Sequence, residues 1–219
     1  MVSSQALARS VPFALYLAVL ALEGVAAQQA TAFDARWLYP AKISAVVLAL
    51  WYYRREYAEL ALPPDRRAWL WGVPVGLLVF VLWINLDFGF LDLGGGEGYD
   101  PRDASGNLNW VLVTFRLLGA ALVVPVMEEL FWRSFLMRWL DGSPFWKVEA
   151  TRATLKAVLI SSVLFGVEHT LWFAGILAGL AYAWLYRASG SLWPPVVAHA
   201  VTNLTLGIWI LHTGQWTFW

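Results

Sequence analysis

Residues 110–140 read WVLVTFRLLGAALVVPVMEELFWRSFLMRWL. This is one apolar run, longer than the roughly 20 residues that carry a helix across a hydrocarbon layer. Near its middle stand two adjacent carboxylates and a guanidinium, Glu128, Glu129 and Arg133. Ionisable groups inside a spanning helix are expensive, and they face a bundle interior or a water-filled cavity. The run therefore predicts a polytopic all-α membrane bundle with a functional site inside it.

Composition points the same way. Hydrophobic residues make up 60% of the chain, charged residues 14%, and mean hydropathy is +0.59. Soluble domains carry about 25% charge. Lys+Arg and Asp+Glu balance at 15 each, so no basic excess suggests nucleic acid as a partner. The absence of cysteine removes disulfides, thiolate metal sites and a thiol nucleophile. Fifteen tryptophans suit the aromatic belts at the two faces of a bilayer.

Outward from the opening run, apolar segments at 11–28, 37–53, 68–90, 110–140, 154–169, 171–187 and 192–212 predict about seven spans. Arg54, Arg55, Arg66 and Arg67 in one loop, and Arg138, Lys147 and Arg152 in another, should be cytoplasmic by the positive-inside rule. The Gly-rich stretch 91–109, with Asp92, Glu97, Asp100 and Asp103 against Arg102, should lie outside. An alternative makes Arg9 and the apolar run from Val11 a cleaved signal peptide, which leaves six spans and the same polar clusters. Residues 1–219 read as a single integral membrane domain whose motif-bearing core is 110–212.

Two further clusters interrupt the apolar second half, Phe165-x-x-x-His169 and His199-x-x-x-Asn203. At 1.5 Å per residue, Glu128 lies about 15 Å from Arg138, His169 about 20 Å from Lys156, and His199 about 12 Å from Ser191. Those three reference residues mark proposed cytoplasmic ends, so antiparallel neighbours bring one carboxylate and two imidazoles to similar depth. Glu129 and Arg133, four apart, share a helix face and can pair. Glu128 is turned about 100° away and stays available. A buried Glu beside a His can activate water, and His199 with Asn203 can present an imidazole and an amide to one point, as an oxyanion-stabilising pair does. Activated water is the more attractive nucleophile, and amide hydrolysis the reaction class.

These motifs, in this order on successive apolar helices, resemble the CPBP family of intramembrane proteases, which includes the type II CAAX prenyl endopeptidases. The resemblance implies that Glu128 and His169 activate water, that His199 and Asn203 stabilise the oxyanion, and that Glu129 and Arg133 support the site. It also implies a membrane-associated protein or peptide as substrate, the lipid bilayer as surroundings and, for a bacterial source, the plasma membrane. The family has been read both as metal-independent glutamate proteases and as metalloproteases. Zinc on Glu128, His169 and His199 therefore stays open as a cofactor. Trp132 and Glu168 depart from the usual pattern. The compact length also resembles CAAX-protease-related proteins of exosortase systems.

Plainer readings stand beside these. Glu129 and Arg133 also read as a helix-stabilising pair, Asn203 as an interhelical hydrogen bond, Glu168 as a pocket-rim acid and Gly175-x-x-x-Gly179 as a close-packing face. A proton-coupled transporter and a non-catalytic scaffold or immunity protein are the alternatives to an enzyme. No inverted repeat supports transport.

Overall fold

The computed structural model describes residues 3–27, 34–94 and 98–219. Gly95, Gly96 and Glu97 of the expected outside loop lie beyond these. Among the described residues the chain folds into seven successive helical segments: α1 (Ser4–Ala27), α2 (Leu38–Tyr52), α3 (Arg66–Asn85), the long α4 (Trp110–Asp141), α5 (Leu155–Val167), α6 (Trp172–Ser189) and α7 (Trp193–Thr213). No strand forms among them beyond a bridge between Arg102 and Leu108. The all-α membrane bundle that the hydropathy predicts is what the chain forms.

Local chemistry sets the helix ends. Asn109 accepts from the backbone N–H groups of Val111 and Leu112, Asp65 from Ala68 and Thr154 from Ala157, each capping donors with no intrahelical partner. Gly190 and Gly214 end α6 and α7 with φ of 70° and 71°, a left-handed conformation that costs glycine little. The third helix stops at Asn85, five residues before the expected 90, and the Asn85 amide donates to the Val81 carbonyl in its last turn.

By length and composition, α1, α3, α4 and α7 are able to cross a membrane. The 13 residues of α5 span only about 20 Å, against roughly 30 Å of hydrocarbon. This segment pairs with α6 as a hairpin. A Cβ on Gly175 would stand 2.9 Å from the Gly166 Cα, and one on Gly179 would stand 3.0 Å from the Ser162 Cα. Gly175-x-x-x-Gly179 is thus a backbone-to-backbone seam, which places His169, at the hairpin's turn, against the bundle.

One end of the bundle collects the basic loops. Arg9 of α1 is buried there, with Nη2 2.7 Å from Glu59 and Nε donating to Ser134 Oγ at 2.9 Å. Ser134 donates in turn to Glu59, and the Trp193 indole N–H donates to the Leu62 carbonyl. Phe13, one turn further along α1, stacks on Phe131 of α4 at 4.1 Å. The first helix is therefore packed into the bundle through both its charge and its aromatic ring. Glu23 of α1 pairs with the buried Lys42 of α2 at 2.6 Å.

Two outcomes test this packing. Gly175→Ala should cost about 1–3 kcal/mol in detergent unfolding experiments, while Gly24→Ala, with nothing within 4 Å of the added Cβ, should be neutral. Burial raises the Glu59 carboxyl pKa, but the charge and hydrogen bonds of Arg9 and the Ser134 hydroxyl outweigh it and leave it below the usual carboxylate value. A carboxyl depressed in the folded state stabilises fully above its unfolded value, and that stabilisation fades as pH falls through the folded value. Thermal unfolding should therefore lose stability on acidification below about pH 4.5, the ordinary Glu range, and Glu59→Gln should flatten this part of the profile.

Candidate active site

Pro125 interrupts the ladder of α4. Residues Gly119–Val123 are π-helical, and the Val124 N–H reaches back to the Gly119 carbonyl. The carbonyl of Ala120 thereby loses Val124 as a donor, and the next residue is a proline with no N–H to offer. Asn203 of α7 supplies the missing bond, Nδ2 donating to the Ala120 oxygen at 2.8 Å. A second π-helical stretch, Leu130–Met137, begins directly after Glu129. Single π turns recur at functional sites because they re-aim side chains, and here two of them bracket Glu128 and Glu129.

The two carboxylates have different surroundings. Glu129 is 0% exposed. One of its oxygens lies 3.2 Å from Arg133 Nε and the other accepts from His199 Nδ1 at 3.2 Å. Arg133 donates through Nη2 to the Gly179 carbonyl of α6 and sits 4.6 Å from the centre of the Phe165 ring. This one acid thus ties α4 to α7 and, through Arg133, to α5 and α6. Glu128 is 5% exposed, and among the described residues its buried Oε2 has no hydrogen-bond partner. It lines a cavity of about 180 Å³ together with His169, His199 and Asn203.

Each imidazole is oriented. The Phe165 carbonyl lies 2.7 Å from His169 Nδ1 and can only accept, so that nitrogen carries the hydrogen and Nε2 keeps its lone pair when the ring is neutral. The edge of Trp83 packs on the same ring at 5.3 Å. His169 also lines a second cavity of about 500 Å³, bordered by Asp87, Asp92 and Trp219, and so stands between the two spaces. His199 stacks on Tyr182 at 5.1 Å with 20° between the planes. The Tyr182 hydroxyl donates to Thr202, which donates to carbonyls of Gly76 and Ala198. Among the described residues the second ring nitrogen of His199 makes no hydrogen bond.

Glu128, His169, His199 and Asn203 therefore share one cavity, and Glu129 and Arg133 lie behind it. Glu168 is exposed, at the end of α5, facing the indole of Trp132. The zinc set of Glu128, His169 and His199 is not assembled: among the described residues, no group of three or more His, Asp or Glu has the spacing of a metal site. The same cavity is lined by Arg116, Tyr16, Tyr39, Trp83, Tyr182 and Thr202, none of which the motif reading picked out. Arg116 alone left a signal, as a charge within an apolar run.

Fold and cavity define a polytopic helical membrane protein with an interior cluster of acid, imidazole and amide groups. Residues 110–205 match the family described as Type II CAAX prenyl endopeptidase Rce1-like, which bears out the CPBP resemblance over the segment carrying all three motifs. That family is one of intramembrane CAAX proteases. No curated protein and no solved structure matches the chain.

Removing one partner of a buried ion pair strands the other charge and costs about 3–5 kcal/mol. Glu129→Gln should lower unfolding stability in detergent by about this amount. A change under about 1 kcal/mol would show that the pair with Arg133 and His199 does not anchor α4 against α7.

Proposed function

We propose that this protein is an intramembrane endopeptidase that hydrolyses a peptide bond of a membrane-associated protein or peptide with water activated by Glu128. The observation that carries the reading is the contrast between the two adjacent carboxylates: Glu129 is committed to Arg133 and His199, whereas Glu128 Oε2 is buried at the cavity without a partner. A buried acceptor left unsatisfied costs about 1–3 kcal/mol. Such an atom, beside a cavity large enough for water, is suited to hold and deprotonate one.

In this mechanism Glu128 takes a proton from water as the oxygen attacks the peptide carbonyl. His169 shares that proton through Nε2, which the bond from Nδ1 to Phe165 leaves free. When both nitrogens of His199 are protonated, Nδ1–H donates to Glu129 and the second N–H points charge at the developing oxyanion. Asn203 contributes the amide N–H not given to Ala120. The proton held by Glu128 and His169 then passes to the departing amine, the C–N bond breaks, and acid and amine products separate. Each positioned acid–base group of this kind supplies about 10²–10⁴ in rate.

In this reading the protein lies in a plasma membrane with its basic loops inside, and the hydrolysis needs only Glu128, His169, His199, Asn203 and water. Purified protein in detergent should cleave membrane-peptide substrates, and Glu128→Gln should lower kcat by at least about 10²-fold with the fold intact. Cleavage should survive a chelator. Activity lost to chelation and restored by zinc would instead require the ligands to rearrange around a metal, and no cleavage by folded protein would remove the enzyme reading.

A further inference from the structure

The turn between α6 and α7 faces the start of α3 across an open groove of about 500 Å³, at the end of the bundle that collects the basic loops. Its floor is the close crossing of α3 and α7, where a Cβ on Gly72 would stand 2.9 Å from the Pro194 carbonyl oxygen. Pro63 and Pro64 fix the backbone ahead of α3, and the Trp193 indole N–H holds the Leu62 carbonyl. The wall that carries Asp65 and Arg67 is thereby fastened to α7. Towards the apolar middle of the bundle the groove ends at Trp71, which stacks on Trp184 of α6 with ring centres 6.1 Å apart and 15° between the planes. Both indoles are exposed, 41% and 57%, as rings at the headgroup level of a bilayer are.

Asp65 and Arg67 both line this groove, yet they do not pair with each other. One oxygen of Asp65 accepts from the Ala68 N–H at 2.9 Å, and among the described residues the other has no partner, while Arg67 makes neither an ion pair nor a side-chain hydrogen bond. Across from them stand Ala188 and Ser189 in the last turn of α6, where carbonyls have no intrahelical donor. The Ser191 hydroxyl accepts from the Trp193 N–H and keeps its own proton to donate. An acid and a base side by side and unpaired, next to two interfacial indoles, match a lipid headgroup that carries both signs. A headgroup with a phosphate alone would set its charge against Asp65, and a quaternary ammonium has no N–H for the carboxylate. A primary ammonium has three donors, and a guanidinium suits a phosphate. We propose that this groove binds an aminophospholipid, its phosphate on Arg67 and Ser191, its primary ammonium on Asp65 and the last carbonyls of α6, and its acyl chains over Trp71 and Trp184. The site stands apart from the Glu128 cavity and does not depend on the endopeptidase reading.

The test offers the purified full-length protein phosphatidylethanolamine, phosphatidylcholine and phosphatidylglycerol with identical acyl chains, and reads binding by native mass spectrometry. Phosphatidylethanolamine should bind at least 10-fold tighter than either of the others. Asn caps a helix as well as Asp does, so Asp65→Asn should leave unfolding in lipid-free detergent unchanged while it removes the advantage over phosphatidylglycerol. Arg67→Gln should weaken binding of phosphatidylethanolamine, and Arg67→Lys should restore part of it. Equal binding of all three lipids overturns the inference. Tightest binding of phosphatidylglycerol reduces the groove to an anion site on Arg67 and overturns it as well, and equal binding of the ethanolamine and choline lipids does so by assigning the cation to the Trp71 ring. A preference that survives both Asp65→Asn and Arg67→Gln places the lipid elsewhere on the protein. Soluble phosphoethanolamine that competes at the same concentration as the lipid assigns the groove to a free headgroup compound, and this too overturns the lipid site.

Discussion

A carboxylate that no water reaches must be neutralised by the protein, and Glu129 is such a group. Its two oxygens are divided between Arg133, one turn along its own helix, and His199 on the last helix. Because Arg133 also bonds to the Gly179 carbonyl and packs on Phe165, one buried charge sets the register of α4, α5, α6 and α7 together. Sliding any of these helices by a residue would strand a charge in a low-dielectric interior, a far larger penalty than the loss of a few apolar contacts. The same arrangement leaves Glu128, about 100° round the helix, without a partner at the cavity.

A π-helical turn and close backbone contacts complete the enclosure. Pro125 and the π-helical turn before it free the Ala120 carbonyl, and that oxygen fixes the amide of Asn203. On the opposite wall, Gly166, Gly175 and Gly179 let α5 and α6 meet at backbone distance, which turns His169 towards the same space. Each device would weaken a soluble helix. In a membrane bundle, where apolar side chains gain nothing by leaving lipid for one another, small residues and shared carbonyl bonds are what bring helices together.

The two ends of the molecule differ in charge and in task. Arg9, Glu59, Ser134 and Arg138 weld α1, the loop after α2 and the end of α4 into one polar plug. At the other end Asp87, Asp92 and the aromatic C-terminal turn border the larger cavity, which shares His169 with the one that Glu128 lines.

The helices were legible because each membrane-crossing run needs length and apolarity that the chain states outright, and the predicted edges mostly lie within a few residues of the helices formed. The pairing of Glu129 with Arg133 was legible as well, since spacing of four on a helix is local geometry. The sequence by itself thus determined an all-α membrane bundle and the polar clusters within its apolar runs. The tertiary structure alone decided that His199 shares Glu129, that Asn203 answers a carbonyl freed by Pro125, that α5 is a short arm of a hairpin, and that Arg116 lies in the same cavity as Glu128. The division is physical. Period and length are properties of neighbours along the chain, whereas which oxygen a buried donor finds depends on helices more than 60 residues apart being packed against one another.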